Sequence, residues 1–202
     1  MSTRATVLAA LSLSATLLVP PPATAGPLTP GERQRLIAHL EMTGDWLAGE
    51  LAGLSEAQLA FRMTPESWSI KDVVEHLAIA EPQYWANLEA SLREPLKAGY
   101  KPAATDEQML WYGIDRTNRQ RTGEARVPKG QFAAAKDALA SFQALRARML
   151  AAAKTSQEDF RGRAFMGGGQ DVYQWFLMIS THSQRHIRQI REIKAHQDYP
   201  KK

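Results

Sequence analysis

The chain has no cysteine among its 202 residues. That absence removes disulfides, thiolate nucleophiles and cysteine-ligated metals together, so a bound ion must be held by histidine, carboxylate or water. Surplus charge is also scarce: 25 Lys+Arg against 21 Asp+Glu leave a net +4, too little to point to nucleic acid. No stretch shows the apolar–polar alternation of a half-buried strand. Beyond the N-terminus no apolar run approaches the length of a membrane span.

The N-terminus has a different character. Arg4 precedes the apolar run Val7–Val19, then Pro20, Pro21 and Pro22 follow, and Ala23-Thr24-Ala25 offers a small-x-small cleavage site before Gly26. This layout predicts a secretory signal peptide over residues 1–25. An uncleaved membrane anchor is the rival reading, disfavoured because the run is short for a bilayer. The expectation is a periplasmic or secreted protein without stable membrane association after cleavage. Its single domain spans residues 26–202 and is long enough to bury a sizeable core.

Within that domain the apolar spacing is helical. Thr29 with Pro30 after it opens a first helix, whose stripe is Leu36, Leu40, Leu47, Leu51 and Leu54. Ser69 and Asp72 read as a capping box starting a second helix to about Arg93, with Pro82 as an internal kink. A short helix follows Thr105, within "DEQMLWYGIDRT". A third long helix is expected from about Gln131 to Lys154, and a last one from about Asp171 to His196. Four long amphipathic helices with modest connections predict an all-α four-helix bundle, with the short extra helix between helices 2 and 3.

The last helix carries "ISTHSQRHIRQI", with His182 and His186 one turn apart. At 100° per residue, Trp175, Met178, Ile179, His186, Gln189 and Ile193 fall within about 60° of His182. Ser183, Gln184, Arg188, Arg191 and Glu192 fall towards solvent. Two imidazoles therefore lie in an apolar stripe, where an unpaired ring costs on the order of 1–3 kcal/mol. His76 falls on the presumed inner face of the second helix. Three neutral imidazoles from two helices suit zinc or another first-row metal, with open positions for water or substrate. The plainer alternative is a set of hydrogen-bonded core histidines, since nothing in the sequence alone brings His76 to the other two. His39 and His196 read as solvated.

Asp72, one turn before His76, and Gln189, just after His186, are the candidate acid–base or supporting groups. Asp72 has a plainer use as a helix cap, and Gln189 as a boundary hydrogen bond. Trp68, Tyr84 and Trp175 at helical spacing read first as core. "GGGQD" reads as a flexible turn and the arginines of "DRTNRQRTGEAR" as a solvated loop.

"WSIKDVVEHLAIAE" and "FMGGGQDVYQWFLMISTHSQRHIRQIREIK" resemble the two distinctive segments of the DinB/YfiT-like superfamily. The likeness extends over essentially the whole domain. It implies an up-down-down-up bundle and a divalent metal (zinc, nickel, iron or manganese) on His76, His182 and His186. Family members include metal-dependent thiol transferases, a thiol-dependent isomerase and presumed hydrolases. The thiol-using relatives act on cytoplasmic thiols, which an exported chain would not meet. The resemblance admits a homodimer. Three functions stay open from the sequence: an exported metal-dependent hydrolase or transferase of a small molecule, a metal- or ligand-binding bundle without turnover, and an interaction bundle with structural histidines.

Overall fold

The computed structural model describes residues 26–201; the expected signal peptide lies outside the described residues. Among the described residues six α-helices form, α1 (Pro30–Leu51), α2 (Glu56–Ala60), α3 (Ile70–Ser91), α4 (Asp106–Tyr112), α5 (Ala135–Thr155) and α6 (Val172–Lys194). Single 3₁₀ turns lie at Glu124–Arg126 and Phe165–Gly167, and the only strand-like pairing among the described residues is an isolated bridge between Ala164 and Asp171. Reciprocal caps start five of the helices: Thr29 with Glu32, Ser55 with Gln58, Ser69 with Asp72, Thr105 with Gln108, and Asp171 with Gln174. Each satisfies amide groups that a helix start otherwise leaves open.

The long helices α1, α3, α5 and α6 make the bundle. Tyr173 Oη donates to the Glu32 carbonyl at one end, and Glu50 pairs with Arg191 and Lys194 at the other, so α1 and α6 run parallel. Lys71 reaches the Ala133 carbonyl and Arg148 reaches Glu89, so α3 and α5 also run parallel. Trp175 donates to the Tyr84 carbonyl while His76 meets His182, which makes α3 antiparallel to α6. The topology is up-down-down-up, with α4 in the crossover from α3 to α5 and packed on α6.

Two apolar clusters fill the ends. One gathers Leu36, Leu40, Leu88, Met149, Tyr173, Phe176 and Leu177; the other gathers Leu47, Ile70, Val73, Leu77, Phe142, Ile187 and Ile190. Between them the waist is polar: Thr43, Glu81, Arg146, Ser180, His182 and Ser183 are all buried there. Polar groups at that depth need partners. Arg146 Nη2 bonds both Glu81 oxygens, at 2.9 and 3.1 Å, and Ser183 Oγ at 2.7 Å. Ser183 was expected in solvent. It is buried because α6 packs against α1, α3 and α4 together, which leaves its middle turns little free surface.

Several helix limits differ from those read in the sequence. The third long helix begins at Ala135, not Gln131, because Ala134 is extended and its amide donates to the Asp137 carboxylate at 3.2 Å, which sets the helix start there. The first ends at Leu51 and the last at Lys194. Helix α2 was missed, although its Ser55…Gln58 capping pair is legible in the sequence. Helix α3 runs unbroken through Pro82.

Candidate metal centre

His76 projects from the second turn of α3, and His182 and His186 from the middle of α6. The antiparallel crossing of these helices brings all three together. One donor nitrogen from each lies within 4.8 Å of the others, and His76 Nε2 stands 3.2 Å from His182 Nε2. Two nitrogens each ~2.0–2.1 Å from a tetrahedral zinc would be about 3.3 Å apart. Ring centroids are 5.2 Å apart for His76–His182, 4.7 Å for His76–His186 and 4.6 Å for His182–His186.

The hydrogen bonds set the tautomers. His76 Nδ1 faces the Arg126 carbonyl at 2.7 Å, and His186 Nδ1 faces Gln189 Oε1 at 2.9 Å. A nitrogen facing a carbonyl oxygen must carry the proton, which turns the bare Nε2 lone pair of each ring inward. His182 Nδ1 is buried without a partner. The bare Nε2 atoms of His76 and His186 face the His182 ring, whose Nε2 either donates to His76 at 3.2 Å or, with its proton on Nδ1, completes a three-nitrogen donor set that fits a cation. Outer bonds of this kind orient metal-binding imidazoles.

Electrostatics agree. Burial holds His76 below its ordinary value, and burial with the neighbouring rings holds His182 far below it. Burial, then the His76 ring, pushes His186 down to about 3. All three rings are neutral at pH 7, as ligation requires. They open onto a cavity of about 490 Å³ walled by Met63, Trp68, Tyr84, Tyr112 and the arginine-rich 116–127 segment. The Trp68 ring packs 4.9 Å from the His76 ring and shields that side from water.

The sequence-predicted residues fare differently. Gln189 lines the cavity and holds His186. The Asp72 carboxylate is outside the cavity lining; it accepts from Ser69 N and Oγ, both at 2.7 Å, and pairs with Arg62 at 2.7 Å. Its observed contacts are those of the cap. Trp68 and Tyr84, read first as core, do pack against the apolar clusters and line the cavity as well, whereas Trp175 packs on the core and stacks on Phe165 at 3.8 Å. His39 is not solvated: it is half-buried and bonds Ser180 Oγ. The arginine-bearing 116–127 segment, read as a solvated loop, is exposed over most of its length and also lines the cavity; Arg185 donates to the carbonyl of Asn118 within it and to those of Tyr112 and Asp115 just before it.

Sequence reasoning missed Glu75. It is 2% exposed, and its Oε1 accepts the amides of Lys129, Gly130 and Gln131 at 2.7, 2.8 and 3.0 Å. The signal was present: a carboxylate next to a candidate ligand, on the inner side of a helix.

Comparison with known proteins gives the family and supports the fold. The DinB superfamily pattern matches residues 39–190, and the chain belongs to that superfamily. An uncharacterized protein of Bacillus subtilis strain 168, YuaE, is 28% identical over 151 residues, covering 72% of this chain and 88% of the relative. A solved structure, YfiT from Bacillus subtilis, superposes with a TM-score of 0.54 at 20% identity, over 83% of this chain and 88% of that one. YfiT is described as a probable metal-dependent hydrolase with an unusual four-helix bundle topology. At that identity the likeness establishes the fold.

Proposed function

We propose that this protein is an exported metal-dependent hydrolase of a small molecule, with His76, His182 and His186 as the ligands. The observation that carries the reading is the convergence of three donor nitrogens within 4.8 Å at the floor of a cavity. A divalent cation there would lower the pKa of a bound water towards ~7 or polarise a substrate oxygen. The chain's own residues supply the rest. Arg126 and Gln189 fix the ring tautomers through their oxygens. Burial pushes the Tyr84 and Tyr112 phenols up, so each keeps its proton at neutral pH and can donate to an oxyanion forming in the cavity. Trp68 and the 116–127 segment exclude bulk water from the reacting end.

A second reading, a metal- or ligand-binding bundle without turnover, is favoured by one feature. Among the described residues the only carboxylate lining the cavity is Glu192, and Arg116 engages it at 2.6 and 2.9 Å. No free carboxylate stands ready as a general base. A transferase use of the same centre is the third outcome of a single experiment. Protein made without a histidine tag is loaded with zinc, nickel, iron or manganese and assayed on ester, amide, phosphate and electrophile–thiol substrates. One metal per chain in wild type, lost in His182→Ala, supports the centre; hydrolysis lost in the same variant supports the activity. Stoichiometric metal without any metal-dependent rate selects the binding bundle. Export is read from residues 1–25 alone, and sequencing the mature N-terminus tests it: a start near Gly26 is expected, and intact Arg4 in cytoplasmic protein would reverse it.

A further inference from the structure

The cavity above the histidines is lined by five arginines, Arg116, Arg119, Arg121, Arg126 and Arg185, against one carboxylate, Glu192. Two of the five are already engaged. Arg116 grips Glu192, and Arg185 spends its donors on backbone carbonyls. Among the described residues, Arg119, Arg121 and Arg126 meet no carboxylate.

Arg126 lies deepest. Its carbonyl takes the His76 Nδ1–H at 2.7 Å, which places the residue beside the histidines. Its guanidinium carbon stands 5.5 Å from the Tyr84 ring centroid, and its Nε is buried without an acceptor. Gly123 makes room for it: a Cβ on that glycine would come within 3.2 Å of Arg126 Nη2. The Arg126 terminal nitrogens, unlike the enclosed Nε, are not shut off from the cavity and bond no described residue, and a carboxylate or phosphate group fits such a planar fork two bonds at a time. A walled cavity lined by a surplus of positive charge also concentrates anions at its mouth.

We infer that Arg126, with Arg119 and Arg121 nearer the rim, binds a substrate oxyanion, so that the substrate is a small molecule carrying a carboxylate or phosphate group. The substrate's reacting end faces His76, His182 and His186. A cavity of about 490 Å³ is of the size that holds a metabolite-sized molecule. The inference rests on the proposed function only for where the reacting end lies; the oxyanion site stands on the arginines.

Calorimetric titration of metal-free mature protein with inorganic phosphate and with succinate tests it, with succinamide as the uncharged control. Saturable binding of at least one anion, weakened about 10- to 100-fold by Arg126→Gln and less by Arg126→Lys, is expected. Arg148→Gln, an exposed arginine paired with Glu89 outside the cavity lining, should leave it unchanged. His186→Ala should abolish metal uptake and keep anion binding, which separates a failure of the metal reading from a failure of this one. Circular dichroism confirms that each variant is folded, and should Arg126→Gln not fold, Arg119→Gln/Arg121→Gln must weaken binding in its place. No saturable binding by wild type, equal binding of succinamide, or full affinity in folded Arg126→Gln and Arg119→Gln/Arg121→Gln would overturn the assignment.

Discussion

Replacing Glu75 by alanine should weaken metal binding without touching a ligand. The carboxylate holds three successive amides, those of Lys129, Gly130 and Gln131, on one oxygen. Those amides anchor the segment whose Arg126 carbonyl sets the His76 tautomer. Residues 129–131 are exposed, so their amides rehydrate once the carboxylate is gone. Only the surplus over water is lost, roughly 1 kcal/mol per bond and about 3 kcal/mol in all. For a domain of this size that lowers Tm by about 6–12 °C. The effect on the centre is distinct. A His76 ring freed from its acceptor can present Nδ1 or Nε2, and removing such an outer bond costs about 10- to 100-fold in metal affinity. Chelator competition measures the Kd and circular dichroism the Tm, and Glu75→Gln, which keeps an acceptor oxygen, should recover part of both. Wild-type metal affinity in a folded Glu75→Ala protein would refute the chain of reasoning from Glu75 through Arg126 to His76.

Three further outcomes follow from the same structure. The depressed histidine pKa values have a definite sign: above the ordinary value of 6.5 the rings are neutral folded or unfolded, and below it the unfolded chain takes up protons that the buried rings refuse. Metal-free protein should therefore lose stability from pH 6.5 downwards, by at most about 2 kcal/mol from His186 alone by pH 5, while metal affinity stays nearly flat between pH 7 and 6.5; urea titrations at each pH and chelator competition check both. Glu81→Ala should cost about 3–5 kcal/mol by stranding Arg146 in the waist, whereas Glu81→Leu with Arg146→Met should be close to neutral or stabilising by thermal unfolding. Gly113→Ala should destabilise by about 1–3 kcal/mol, because its Cβ would meet the Thr181 carbonyl at 2.9 Å and push the end of α4 off α6; a Tm equal to wild type would show that α4 shifts without cost.

Much of the architecture is written in local pattern. The capping pairs at Thr29, Ser69, Thr105 and Asp171 and the 3.6-residue apolar stripes mark the helix starts to within a residue or two, because caps and amphipathic faces act over a single turn. The start of α5 was misplaced because its cap is Ala134, a residue with no side-chain acceptor to signal it, while the segment before it is held by a carboxylate more than fifty residues away. The histidines show both sides at once. His182 and His186 share a stripe by spacing alone. Whether His76 joins them depends on α3 running antiparallel to α6 with its second turn at that level, a relation between helices on which spacing is silent.

Single helical turns thus determined by themselves where the helices begin, which faces are apolar, and that two imidazoles point one way. Packing decided the remainder. Asp72 became a cap and Ser183 a buried partner of Glu81 and Arg146. The arginine-rich connector became a cavity wall, and Glu75 its anchor. The physical reason is range: caps and periodicity are interactions within about one turn, whereas burial, convergence of ligands and the charge of a cavity arise only when segments distant in the chain are pressed together.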